Sequence, residues 1–154
     1  MNPIDQSWDI GLFDALVRTE TFMWRRVEQE LRPDGHVNLA DLTVLRLVEE
    51  LGSGARVTDV VSTLGITVGA ASKAIDRLEA AGLAARSQNP DDRRSSLITL
   101  TEHGRSVHAQ GVASIRKALR GVLDTSELDA ASLTLALGTL LTRLSSPRMA
   151  GAGS

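Results

Sequence analysis

The feature that most constrains this 154-residue chain is a pair of short helical patterns joined by one glycine, at residues 58–82. Thr58 is placed to cap a brief helix over residues 59–64, and Gly65 follows as a turn residue that tolerates positive φ. Thr67 is placed to cap a second helix that stops at Gly82. A short helix, a glycine turn and a second helix are typical of a helix-turn-helix, which the pattern therefore predicts here.

A β-hairpin is predicted directly after this unit, with a weak strand over residues 83–88 and a better one over residues 96–100. The residues between them are polar, as in an exposed turn. Upstream, Asn38 and Asp41 resemble a capping box at the start of a helix that runs to about Leu51. Together these elements predict a winged helix-turn-helix over residues 37–100, with the hairpin as its wing.

Long helices are predicted on both sides of this region. One runs from about Ser7 to Leu31 and is stopped by Pro33. Downstream, Thr101 is placed to cap a helix that ends near Leu123, and a leucine-rich last helix is predicted to start at Asp124 or Thr125. The first helix has a broad apolar stripe, made of Leu12, Phe13, Leu16, Val17, Met23, Trp24, Val27 and Leu31.

An apolar stripe of this width needs a second surface to cover it, and a partner subunit is the simplest candidate. The chain is therefore expected to form a homodimer. The predicted fold is mainly α with a small β-hairpin wing, and the expected division has four parts. These are an N-terminal dimerisation helix (1–36), a winged helix-turn-helix DNA-binding region (37–100), C-terminal dimerisation helices (101–144) and a disordered tail (145–154).

The second helix of the helix-turn-helix, the recognition helix, has two distinct faces on a helical wheel. Gly69 lies on the outward face, where glycine costs roughly 1 kcal/mol relative to alanine, which suggests close approach of the backbone to a ligand. Any amphipathic helix has a polar face, however, so Gly69 can equally be incidental. The predicted core face is Val68, Ala71, Ile75 and Leu78, and the outward face is Gly69, Ser72, Lys73, Asp76 and Arg77.

The predicted wing tip holds Arg93 and Arg94 beside Asp91 and Asp92. Arginine suits phosphate or a narrow minor groove, and Asp92 can orient the Arg94 guanidinium by a charge-assisted hydrogen bond. A solvated, charged hairpin tip would look the same. Residues 67–100 contain five cations and four anions, and the whole chain has a formal charge of −2. Binding to nucleic acid must therefore depend on the placement of cations rather than on their excess.

The aromatic residues are confined to the first 24 positions. This argues against the base stacking by which single-stranded nucleic acid is usually bound. Trp8 and Phe22 lie off the apolar stripe of the first helix, and Arg26 falls near Trp8 on the wheel. Such a face could hold a small aromatic acid as an effector, or the two rings could be anchors of the dimer interface.

Other classes of protein are disfavoured by composition and motifs. There is no cysteine, no signal-peptide pattern and no apolar run near the roughly 20 residues of a membrane span, so a cytoplasmic protein without a membrane partner is expected. His103 and His108 are five residues apart and make a poor metal pair. No nucleophile elbow, phosphate loop or zinc motif occurs, so we expect no enzyme activity, cofactor or metal. A winged-helix module that binds a protein instead of DNA remains an alternative.

Several motifs between residues 72 and 104 resemble those of the MarR family of regulators (multiple antibiotic resistance regulators). The wing matches most specifically, because the family's D-x-R pattern falls on Asp92, Arg93 and Arg94. The recognition helix departs from the family by opening with Gly69 and Ala70 instead of a more polar turn. The matching segments are Ser72-Lys73, Asp76-Arg77-Leu78-Glu79, Gly82-Leu83, Arg86, residues 89–95 and residues 97–104.

The resemblance implies a transcriptional regulator, commonly a repressor, in which terminal helices of two subunits interlock. It places the recognition helix in the major groove of double-stranded DNA at an inverted repeat, and the wing arginines in the minor groove. It also implies release by a small aromatic ligand, for which Trp8, Phe22 and Arg26 are the candidate residues. The candidate DNA-binding residues are Thr67, Gly69, Ala70, Ser72, Lys73, Arg77, Asp92, Arg93 and Arg94.

Overall fold

The computed structural model describes residues 7–31, 37–124 and 128–146, apart from the side chains of residues 7, 8 and 53. The described elements are six α-helices, one short 3-10 turn over residues 52–54 and two strands. In chain order they are α1 (Ser7–Leu31), α2 (Leu39–Leu51), α3 (Val57–Leu64), α4 (Val68–Ala80), β1 (Ala84–Gln88), β2 (Ser96–Leu100), α5 (Glu102–Leu123) and α6 (Ala130–Ser145).

Three predicted helix caps are confirmed by their hydrogen bonds. The Asn38 side chain accepts from the Asp41 N–H at 2.8 Å, and the Thr67 hydroxyl accepts from the Ala70 N–H at 3.2 Å. Thr101 does the same for Gly104 at 2.9 Å. These short polar side chains satisfy backbone donors that the first helical turn leaves without partners.

Two predicted helix starts are wrong. Helix α3 begins at Val57 rather than after Thr58, because the Asp59 carboxylate accepts the backbone N–H of Arg56 at 2.7 Å and closes the turn one position earlier. Helix α6 begins at Ala130, where Asp129 accepts from the Ala131 N–H at 3.1 Å. Of the two predicted caps for this last helix, residue 124 lies outside any helix and residue 125 is not among the described residues.

The two strands form an antiparallel hairpin in which Ala84 pairs with Leu100 and Gln88 pairs with Ser96. This confirms the predicted hairpin, although its first strand starts one residue later than expected. Ala55 adds an isolated bridge to the middle of β2, with the Ile98 N–H donating to the Ala55 carbonyl at 2.8 Å. This hydrogen bond fixes the segment that follows α2 to the second strand of the wing.

The main hydrophobic core lies among α2, α3, α4 and the hairpin. Leu45, Ile75 and Ile98 are fully buried within it. A smaller cluster joins the last turns of α1 to α2 and to α5, and Glu28 strengthens this junction by accepting the Leu39 N–H at 2.7 Å. The buried residues of the smaller cluster are Val27, Leu31, Leu39, Leu42 and Ala118.

Two glycines allow α5 to pack closely against its neighbours. A Cβ atom at Gly104 would overlap the carbonyl oxygen of Leu83, just before β1, and one at Gly111 would crowd the Leu42 side chain. Any side chain at position 104 would force backbone apart, since the obstructing atom is not the flexible end of a side chain.

Apolar side chains remain exposed along most of α1 and on α6. The chain divides into two compact units, residues 1–119 and residues 120–154. Within the described residues no helix is long and apolar enough to span a bilayer. In the first unit the exposed apolar residues of α1 are Ile10, Leu12, Phe13, Val17, Phe22, Met23 and Trp24, and in the second those of α6 are Leu133, Leu135, Leu137, Leu141 and Leu144.

Candidate nucleic-acid interface

Helix α4 is anchored by one apolar face and exposes the other. Ile75 and Leu78 are buried in the main core, together with Ala71 and Ala74. On the other side Gly69, Ala70, Lys73 and Arg77 are exposed and Ser72 is half-buried. The predicted division of the wheel is therefore confirmed for most positions. Val68 is the exception.

Val68 was expected in the core, but its side chain is 62% exposed. It is the first residue of α4, and at that position the helix has only begun to lie against the core. Buried Ala71, one turn later, is the first residue of this helix to reach the core. The opening turn of α4 is thus an exposed surface of Val68, Gly69 and Ala70, and a Cβ at Gly69 would meet no atom within 4 Å.

Arg77 is held by a carboxylate on α2 that the sequence analysis treated only as part of a cap. Its Nη2 and Nε donate to the two carboxylate oxygens of Asp41 at 2.5 and 3.2 Å. The hydrogen bond to Asp41, reinforced by the negative charge, raises the pKa of Arg77. Asp41 is buried whereas the Arg77 side chain stays half-exposed. The pair therefore fixes the recognition helix to α2 while leaving part of the guanidinium accessible.

Arg86, on β1, forms a second link to α4. Its guanidinium contacts the carboxylates of Glu79 at 2.5 Å and Asp76 at 2.7 Å. The Arg86 backbone N–H also donates to Glu79 at 3.1 Å. This small network fixes the first strand of the wing against the recognition helix, so Arg86 is committed to an intramolecular role.

The wing turn is ordered by backbone and side-chain hydrogen bonds rather than by ion pairs. Asn89 is almost completely buried; its amide donates to the Ser95 hydroxyl at 2.8 Å and accepts from the Asp91 N–H at 3.0 Å. The Asp92 carboxylate accepts the backbone N–H of Arg94 at 3.0 Å. We expected Asp92 to orient the Arg94 guanidinium; among the described residues its recorded bond is to the Arg94 backbone instead, so its role is to shape the turn.

The cations of residues 67–100 fall into two groups. Arg77 and Arg86 are paired with carboxylates. The side chains of Lys73, Arg93 and Arg94 are exposed and form no hydrogen bond or ion pair with any part of the chain that the structure describes. The unpaired group therefore occupies two places, the outward face of α4 and the tip of the wing, both of which were predicted to bind DNA.

The three candidate ligand residues are less clearly assembled. The side chain of Trp8 is not described. Phe22 is exposed. The Arg26 Nε donates to the Ala118 carbonyl of α5 at 2.5 Å, so the Nε edge of this guanidinium is already occupied by a hydrogen bond within the chain. A shallow depression on α1 instead lies beside another aromatic and guanidinium pair, and its lining is Glu20, Thr21, Trp24 and Arg25.

The residues that were not predicted from the sequence are those that support the site. Asn89 had a local signal, since an asparagine before Pro90 and Asp91 is typical of a side chain that folds a turn onto itself. Asp41 had no such signal as a partner of Arg77, because 36 residues separate the two. Only the packing of α2 against α4 brings them together.

Residues 37–96 match the MarR family model, which covers α2 through the start of β2. Among curated proteins, the chain is 30% identical over 89 residues to the HTH-type transcriptional regulator YwhA of Bacillus subtilis, covering 58% of this chain. The match spans 63% of YwhA, and a similar match spans 44% of the regulator Hpr of Shouchella clausii, so it extends over less than two-thirds of either relative.

Two solved structures share the fold over nearly the whole chain. CouR of Rhodococcus jostii RHA1, bound to p-coumaroyl-CoA, is 26% identical with a TM-score of 0.76, covering 96% of this chain and 99% of CouR. CouR has also been solved as a transcriptional repressor on a 23-mer DNA duplex. BpsR of Bordetella bronchiseptica, whose DNA binding is regulated by 6-hydroxynicotinic acid, is 27% identical with a TM-score of 0.70, covering 88% and 99%.

Proposed function

Because residues 37–96 match the MarR family model, we propose that this chain is a MarR-family transcriptional repressor that binds duplex DNA as a homodimer and is released by a small aromatic ligand. The observation that carries the DNA-binding part is the division of cations described above. The fold neutralises Arg77 and Arg86, whereas Lys73, Arg93 and Arg94 remain available to an external anion.

In the proposed complex α4 enters the major groove with its exposed face toward the bases. Lys73 contacts a guanine edge or a phosphate, and the open surface at Gly69 permits close approach of the helix. Arg93 and Arg94 contact phosphates or the adjacent minor groove, where arginine is favoured by the negative potential. Arg77 acts mainly through Asp41, by fixing the angle of the helix that presents Lys73.

The homodimer follows from the exposed apolar surface of α1 in the first unit and of α6 in the second. Such surfaces on a chain of this size are typical of an interface. A two-fold dimer presents two recognition helices, which requires an inverted repeat whose half-sites are about one helical turn apart. Light scattering at micromolar concentration should give twice the mass of the chain, and a monomer would contradict the proposal.

Binding to DNA can be tested with the best duplex selected from a random library. We expect fluorescence anisotropy to show a steep salt dependence that decreases in Lys73→Ala, Arg93→Ala and Arg94→Ala. Arg116→Ala is the matched control, since it removes an exposed arginine from α5. If no duplex sequence is enriched and the salt dependence is flat, the chain is a winged protein-binding module instead.

An aromatic effector is proposed because both structurally similar regulators have aromatic ligands. CouR binds an aromatic acyl-CoA, and BpsR is regulated by an aromatic acid. For release, the ligand must bind the DNA-free geometry more tightly than the DNA-bound one, because equal affinity for both shifts nothing. We expect p-coumaroyl-CoA, 6-hydroxynicotinate or salicylate to change tryptophan fluorescence and release the duplex over one concentration range. Quenching without release would separate ligand binding from regulation.

The same titration can be used to locate the ligand. If the predicted residues bind it, Phe22→Ala and Arg26→Ala should each weaken the fluorescence response. If the depression beside Trp24 binds it, Arg25→Ala should weaken the response and Arg26→Ala should not. An unchanged response in all three variants would support the alternative that the aromatic residues of α1 serve the dimer interface.

A further inference from the structure

The exposed valine at the start of α4 distinguishes this site from a purely electrostatic one. Its 62% exposure leaves a branched apolar side chain in water in the first turn of the helix that the proposed function places in the major groove. Single exposed apolar residues are common on proteins, so the argument depends on what surrounds this one. We propose that Val68 is a specificity residue that contacts the C5-methyl group of a thymine in each half-site.

The chemistry of the opening turn supports an apolar contact. Gly69 and Ala70, the two residues that share this exposed turn, have no polar side-chain atoms. The Thr67 hydroxyl already accepts the Ala70 N–H, so it retains one hydrogen to donate and one lone pair, both on a single oxygen atom. This turn therefore offers the bases methyl groups rather than the paired donors and acceptors by which bidentate contacts are made.

Only one of the four DNA bases presents a methyl group in the major groove. Thymine has its C5-methyl there, whereas the other edges present hydrogen-bond donors and acceptors that an isopropyl group cannot satisfy. Nothing within 4 Å of the Cβ position of Gly69 obstructs an approaching base. Lys73, exposed and unpaired one turn later, supplies the complementary charge toward the phosphates that border the groove.

The inference rests on the proposed function, and the experiment separates the two. Using the selected duplex, each thymine of one half-site is replaced in turn by uracil, which lacks only the methyl group. Anisotropy is measured with the full chain. One position is expected to lose about fourfold in affinity, which corresponds to about 0.8 kcal/mol per buried methyl. In Val68→Ala the same replacement should have little or no effect.

Leu51→Ala is the matched control, because it shortens an exposed apolar side chain at the end of α2 and should keep the full uracil effect. No sensitive thymine, or a uracil effect that persists in Val68→Ala, would overturn the assignment while leaving duplex binding intact. A change in the light-scattering mass of Val68→Ala would place the residue in a subunit interface and also overturn it. If the unaltered chain binds no duplex selectively, the proposed function is overturned as well.

Discussion

The winged region and the first helix use apolar residues in opposite ways. In the segment from α2 to β2 the large apolar side chains pack against one another, and Leu45, Ile75 and Ile98 are fully buried inside a single chain. Along α1, the buried side chains among those that the structure describes are Val27 and Leu31 near its end, while Phe13 and most apolar neighbours earlier in the helix remain exposed. The first region is complete within one subunit, and the second has an apolar surface that one subunit does not cover.

The contrast between the two regions shows what an apolar stripe can predict. A helical apolar stripe predicts that a face will be covered, but it does not say by what. In α4 the stripe is covered by the chain's own core, and in most of α1 it is not. The two regions should therefore respond differently to substitution: one through the free energy of unfolding, the other through subunit association.

The largest expected effect is in the core of the winged region. Ile75→Ala should lower the free energy of unfolding by about 2–5 kcal/mol, since a fully buried side chain leaves a cavity. Urea denaturation followed by circular dichroism measures the change. Val68→Ala, in the same helix but exposed, is the control and should change it by no more than about 0.5 kcal/mol. Similar losses in the two variants would mean that Val68 is packed in solution.

The next effect should appear in the exposed surface of α1. Phe13→Glu places a charge where the proposed interface would exclude water, so the dimer dissociation constant should rise at least about 30-fold. Sedimentation velocity over a concentration series measures it. Arg18→Glu, on the polar side of the same helix, should leave association nearly unchanged. If Phe13→Glu remains a dimer of unaltered affinity, this surface is not the interface.

A third effect concerns the tip of the wing, where Arg93 and Arg94 are exposed and belong to neither core cluster. Arg94→Ala should leave unfolding unchanged and weaken duplex binding. Since a dimer has two wings, the magnitude of the negative slope of log affinity against log salt should decrease by about 1.8, at about 0.9 per phosphate contact. Asp92→Ala should have a smaller effect, because the lost hydrogen bond to the Arg94 N–H loosens the turn without removing a cation. Stronger binding by Asp92→Ala would show that its charge matters more than its bond.

The smallest effect should come from the cap of α6. Hydrogen bonds from Ser132 and Ala131 lower the pKa of Asp129 in the folded state. The contribution of the carboxylate is therefore present above the unfolded pKa, about 3.9, and is lost as the pH falls through the lower folded value. Circular dichroism between pH 5 and about 2 should show a slight loss of helix that is reduced in Asp129→Asn, which caps without titrating. Identical titrations would indicate that Asp129 contributes no pH dependence.

Local rules predicted most of the fold. Asn38, Thr67 and Thr101 capped helices as expected because a cap needs only a short polar side chain and the backbone three residues ahead. The same rule placed the α3 cap at Thr58, where it was wrong. A threonine and an aspartate compete at that helix start, and the carboxylate of Asp59 makes the bond.

The candidate site was predictable in its cations but not in their partners. Lys73, Arg93 and Arg94 could be selected from the wheel and the hairpin, whereas the pairing of Arg77 with Asp41 depends on how two helices cross. The exposure of Val68 likewise depends on where α4 first meets the core, which periodicity alone does not give. Sequence thus identified the exposed charges, and tertiary packing decided which of them stay free.

The close approach of α5 to the segment between α4 and β1 has a consequence for how this chain tolerates mutation. At Gly104 even one methyl group would meet the backbone of Leu83, whereas at Gly69 a methyl group would meet nothing. A library of variants sorted for protein abundance should therefore be depleted of every substitution at position 104 and keep most at position 69. Sorted again for operator occupancy, the same library should reject large side chains at position 69. We therefore expect two glycines that look alike in the sequence to be constrained by different selections, position 104 for folding and position 69 for DNA binding.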